Sequence, residues 1–124
     1  MKIWLLTCWF LFTWGVAIFA QNEGLNFYAE GEDYRKKGQF PQALAKYEEA
    51  LRREPNNYRY LFAKAQTLEK FKNKVDEALA VLNTAVRLRS DYAPIYELMA
   101  RIYKEKKEDF ERAAQLYNIA YKNE

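Results

Sequence analysis

The sequence predicts an all-α fold of three antiparallel helix hairpins, and three observations carry that prediction. The first is self-similarity at a period of 34 or 35 residues. Gly31 returns as Ala65 and Ala100, Tyr34 as Leu68 and Tyr103, and Phe40 as Val75 and Phe110. Ala43, Ala78 and Ala113 form a fourth series; Tyr47, Leu82 and Tyr117 a fifth; Ala50, Ala85 and Ala120 a sixth. A period of this length marks an array of supersecondary units. The second observation is the spacing within a unit. Gly31 and Tyr34 share one helical face, and Ala43, Tyr47 and Ala50 share another. Small residues let two helices approach closely, and the aromatics fill the gaps beside them. The third is punctuation: Gly38 suits the left-handed residue that ends a helix, and Pro55-Asn56-Asn57 stops the next one.

In chain order, the pattern predicts helices over 25–37 and 41–53, then 58–71 and 75–89, then 94–106 and 109–122. The units run 24–57, 58–92 and 93–124, a single repeat domain of 24–124. Pro41 and Pro94 fall in first turns, where a missing N–H costs nothing. The inner turns Lys72-Asn73-Lys74 and Lys107-Glu108-Asp109 lack the glycine that Gly38 supplies and are one residue longer. The extra residue is expected to remove the need for a left-handed position.

The order of Gly31, Tyr34, Gly38, Phe40, Ala43, Tyr47, Ala50 and Pro55 resembles the tetratricopeptide repeat, over essentially all of 24–124. The resemblance implies a right-handed solenoid of three antiparallel hairpins that binds proteins without catalysis. It also implies that the leading helices line a concave groove for an extended peptide or a helix. Carried over by position, that lining is Leu25, Tyr28, Glu32, Arg35 and Lys36 from the first unit. Arg59, Phe62, Gln66, Glu69 and Lys70 follow from the second, and Glu97, Arg101, Lys104 and Glu105 from the third. Tyr28 and Phe62 are the expected apolar anchors, with the arginines holding carboxylates or backbone carbonyls. The family's carboxylate clamp for chaperone C-termini needs Lys and Asn where this chain has Tyr28 and Glu32, so that ligand is not expected.

Composition narrows the chemistry. With 20 basic and 17 acidic residues the formal charge is +3, too mild a balance to indicate nucleic acid. Histidine is absent and the single cysteine is Cys8, which removes most metal sites and the His- or Cys-based nucleophiles. No metal or cofactor is expected. Carboxylate pairs such as Glu48-Glu49 and Asp76-Glu77 are adjacent in sequence, so they point different ways around a helix and do not face one substrate.

Residues 3–20 carry no charge and follow Lys2, and all three tryptophans lie among them. This is the layout of a secretory signal, with Ala20 before the cleavage point at Gln21. A retained anchor is the rival, since eighteen residues rise about 27 Å, and lipidation of Cys8 is a third reading. Each places the repeats beyond a membrane, with possible attachment through 3–20.

Two further surfaces invite a partner. Basic residues recur at the inner turns: Arg35-Lys36-Lys37, then Lys70, Lys72 and Lys74, then Lys104, Lys106 and Lys107. Cations at helix C-termini stabilise the helix by roughly 0.3–1 kcal/mol, which explains them without a ligand. At the other extreme, Tyr117 and Tyr121 end the last helix where earlier units have Leu82 and Val86. Tyrosine covers apolar surface while wetting its hydroxyl, so this end is either a cap or a surface that stacks on another subunit, as a homo-oligomer, or on a partner.

Overall fold

The computed structural model describes residues 22–124, and these form helices joined by short turns, with no strand among them. The helices are α1 (22–36), α2 (Phe40–Arg53), α3 (Tyr58–Leu68), α4 (Val75–Leu88), α5 (Ala93–Glu105) and α6 (Phe110–Lys122). They pair as α1–α2, α3–α4 and α5–α6, and from α2 to α6 the packing runs chiefly between consecutive helices. Local chemistry sets the starts. Pro41 and Pro94 occupy first turns of α2 and α5. The Asn57 side chain accepts from the backbone N–H groups of Arg59 and Tyr60, and Asp109 accepts from that of Arg112.

The three inner turns solve one problem in different ways. Gly38 ends the first with φ +72°, the left-handed conformation that glycine adopts freely. The second has no left-handed residue: two successive turns, Phe71 N–H to Leu68 C=O and Lys74 N–H to Phe71 C=O, reverse the chain instead. That reversal consumes the last turn of α3, which stops at Leu68 rather than continuing to 71. The third turn departs from the expectation that length replaces left-handedness. Glu108 sits at φ 54°, the one non-glycine residue with positive φ among those described.

The main core lies between the second and third hairpins. Leu61, Ala65 and Leu68 of α3 meet Leu79, Leu82 and Ala85 of α4, and Ile95, Leu98 and Ile102 of α5 close over them. The first hairpin is held differently, around an aromatic ring. Tyr47 is fully buried beside Ala43 and Ala63, with Tyr28 and Tyr34 packed on the cluster. A Cβ added at Gly31 would lie 2.6 Å from the Tyr47 ring, so the glycine is the space the ring occupies. Where Ala65 replaces that glycine the facing residue is Leu82, smaller than tyrosine and also fully buried.

Candidate functional site

The same size rule explains the last hairpin. Ala100 stands at the position of Gly31 and is fully buried, so a tyrosine in the pose of Tyr47 would collide with its methyl group. Tyr117 is 41% exposed, against 0% for Tyr47, which Ala63 of the following hairpin also covers. Tyr121 is 75% exposed, and Ala120 remains buried against Ala93 and Tyr96.

Both tyrosines help to form a cleft of about 580 Å³. Its walls are Phe62 and Gln66 of α3; Tyr92; Pro94, Glu97, Leu98 and Arg101 of α5; Tyr117, Ala120 and Tyr121 of α6; and Glu124. Groove residues and end residues, two separate surfaces in the sequence, thus share one hollow. Phe62 is half-buried, with its ring perpendicular to Tyr92 at 5.8 Å, and Tyr92 meets Tyr58 at 5.2 Å. These contacts fix one aromatic wall in place before any partner arrives.

The charges inside the cleft are unequal in freedom. Arg101 donates to the Glu69 carboxylate, which is 7% exposed and also lies 3.8 Å from Lys70 Nζ. A buried carboxylate needs such partners, so Arg101 is committed to holding α5 on the end of α3. Glu97 and Glu124 form no ion pair among the described residues. The free charge in the cleft is negative.

The remaining groove residues lie elsewhere. Tyr28 is half-buried and stacks on Tyr60 at 5.1 Å, so it joins the first hairpin to α3 instead of standing on a free wall. Glu32 and Arg35 form an internal cluster with Tyr47. The Tyr47 hydroxyl donates to Glu32 Oε1, and Arg35 donates to Glu32 Oε2 at 2.7 Å and to the Tyr47 hydroxyl at 3.3 Å. Burial works to raise the Glu32 pKa, but the hydrogen bonds from Arg35 and Tyr47 prevail and hold it below the ordinary carboxylate value. Burial, reinforced by Glu32, pushes the Tyr47 hydroxyl well above its ordinary range. Arg59 lies over the Tyr58 ring at 5.8 Å, and Arg89 lies at 5.3 Å from the same ring. Lys70 faces a separate hollow of about 620 Å³ with Lys72, Lys106 and Lys107, while Lys104 is exposed outside the cleft.

Tyr92, Pro94, Leu98, Ala120 and Glu124 were not among the sequence-derived lining. Tyr92 falls in the turn before α5, outside the leading helices onto which the family resemblance carried the groove. Only the spatial crossing of α3, α5 and α6 brings it to the wall.

The repeat signature, the closely approaching Gly31 and Tyr47, and three stacked hairpins agree with the outcome of comparison with known families. The profile described as "Tetratricopeptide repeat" matches residues 28–93, more than half of the chain. This chain belongs to the tetratricopeptide repeat family. Solved tetratricopeptide structures superpose on it as the expected solenoid. The second such domain of Spaghetti (RPAP3), bound to the HSP90 peptide SRMEEVD, aligns with a TM-score of 0.75 at 16% identity. That alignment covers 84% of this chain and 94% of the other. The first domain of the same protein, with the same peptide, aligns with a TM-score of 0.66 at 23% identity, covering 82% and 87%. No curated protein sequence matches.

No helix among the described residues is long and apolar enough to cross a membrane, and none of their His, Cys, Asp and Glu side chains cluster as a metal site would. The signal, anchor and Cys8 readings fall on residues 1–21, outside the described part.

Proposed function

We propose that this protein is a non-catalytic protein-binding module that takes a peptide or helix of another protein into the cleft between α3, α5 and α6. The cleft itself carries the reading. It combines fixed aromatic walls, two unpaired carboxylates and a committed arginine, whereas no nucleophile–base pair converges there. The two similar solved domains hold an acidic peptide. Here Tyr28 and Glu32 are engaged with Tyr60 and Tyr47, and Glu97 adds negative charge, so an acidic chain end is disfavoured.

Selection of a displayed peptide library against the 21–124 fragment tests this reading. Phe62→Ala with Tyr121→Ala is expected to weaken the selected peptides by about 2–4 kcal/mol, the range for paired aromatic hot spots. Asn83→Ala with Arg87→Ala, on the exposed side of α4, should leave them bound. Equal loss from both pairs would remove the cleft as the binding surface.

Exposure of Tyr117 and Tyr121 favours a second reading, in which copies of the chain associate through α6 as a structural oligomer. Light scattering separates the two, since only self-association gives a mass that rises with concentration. Export is part of the proposal and rests on residues 1–20 as a signal or anchor. Mass spectrometry of the native protein should find Gln21 as the first residue. An intact Met1 would assign a retained anchor, and a lipid on Cys8 a lipoprotein.

A further inference from the structure

The open face of the third hairpin has two covered counterparts earlier in the chain, and these show what such a face accepts. Over the first hairpin, α3 lays Tyr60 on Tyr28, Ala63 beside Ala43 and Tyr47, and Lys64 at 3.9 Å from Glu48. Over the second, α5 lays Ile95, Leu98, Met99 and Ile102 into the core with Leu79 and Leu82. Each covering element is one helical face with i, i+3, i+4, i+7 spacing. The equivalent surface on the third hairpin is Ala114, Tyr117 and Tyr121, all exposed.

Charge decides what kind of helix suits it. Glu97 takes the place that Tyr28 and Phe62 hold in the earlier units, and Glu97 and Glu124 are unpaired among the described residues, while Arg101 is held by Glu69. Tyr92, Tyr117 and Tyr121 add aromatic rings, whose faces attract ammonium and guanidinium groups. A second copy stacked head to tail fits poorly. Its α1 would present Asn26, Ala29, Glu30 and Asp33, an exposed face with no large apolar side chain for the tyrosines and no cation for Glu97 and Glu124; Asp33 adds a carboxylate, and Glu30 is already paired with Lys46.

We propose that the cleft docks a basic amphipathic helix of a partner protein, apolar at i, i+3, i+4 and i+7 and carrying Lys or Arg opposite Glu97 and Glu124. This inference rests on the protein-binding reading above and names the partner's chemistry.

Two fluorescein-labelled synthetic peptides test it against the full chain in detergent, followed by fluorescence anisotropy at low salt. Both copy residues 93–106, whose apolar face already fits one such position. One carries Glu97→Lys and Glu105→Lys; the other carries Arg101→Glu, Lys104→Glu and Lys106→Glu. The basic peptide is expected to bind about ten-fold or more tightly than the acidic one. In the protein, Glu97→Gln with Glu124→Gln should narrow that preference to about two-fold. Tyr117→Ala with Tyr121→Ala should abolish binding while the thermal midpoint holds. Equal or tighter binding of the acidic peptide overturns the proposal, as does binding indifferent to the tyrosine substitutions. Failure of both peptides removes helix docking yet leaves library selection to judge protein binding in general. A dimer in sedimentation equilibrium that the tyrosine substitutions dissolve assigns the face to a second copy and likewise overturns it.

Discussion

Tyr47 and Tyr117 are the same residue at the same place in the repeat, and they do opposite things. Tyr47 fills the space left by Gly31 and ties Glu32 and Arg35 into the first hairpin. Tyr117 lines the cleft, in a unit that carries Ala100 where the first has Gly31, and no described helix lies over it as α3 lies over Tyr47. The residue on the paired helix and the helix that covers the pair together separate a core residue from a surface one. Within a repeat protein, then, a position is defined by its partner on the paired helix as much as by its own side chain.

The largest expected effect tests this contrast directly. Tyr47→Ala should cost about 3–5 kcal/mol in urea unfolding, the range for emptying an aromatic core site. Tyr117→Ala should remain within about 0.5 kcal/mol, as surface changes do. Comparable losses at the two sites would show that exposure does not separate their roles.

A smaller effect is expected from the glycine itself. Gly31→Ala places a methyl group in the Tyr47 ring and should cost about 1–3 kcal/mol by overpacking. Adding Tyr47→Leu recreates the Ala65–Leu82 combination, so the double variant should be more stable than additivity predicts. Strict additivity would sink the size rule.

The smallest effect is electrostatic. Because the Glu32 pKa is lowered on folding, its contribution is complete above the ordinary value of 4.5 and fades as pH falls through the lower folded value. Glu32→Gln should therefore flatten the acid limb of the stability curve without altering its shape from pH 6 to 8. For Tyr47 the sign is reversed. A raised hydroxyl pKa means stability present below the ordinary value of 10.0 and lost as pH climbs above it. Tyr47→Phe should therefore flatten the alkaline limb. An alkaline limb that this substitution leaves untouched would contradict the burial of the Tyr47 hydroxyl.

Much of the fold was legible in the residues because it depends on local periodicity. The alanine series marks where helices touch, Gly38 adopts its left-handed turn, and Pro41 and Pro94 open helices as their fixed φ dictates. The end of α3 was not legible, because Phe71 continues the apolar pattern while the backbone spends residues 69–74 on reversing direction. Glu108 gave no warning either, since glutamate carries no preference for positive φ. The candidate site was only half visible. Phe62, Gln66, Glu97 and Arg101 were carried over by position from the family's groove, and Tyr117 and Tyr121 follow from the repeat register. Their union in one cleft depends on how hairpins cross, which no spacing along the chain encodes. Tyr28 shows the same limit: its register is that of Phe62, yet Tyr60 stacks on it.

Packing that runs chiefly between consecutive helices has a kinetic corollary. Contacts close in sequence need little loop closure, and helical proteins of that kind fold in microseconds to milliseconds. A hairpin leaving a ribosome already has most of its contacts within reach. The first unit can therefore form around Tyr47 before the last has emerged, and the order of synthesis becomes the order of assembly.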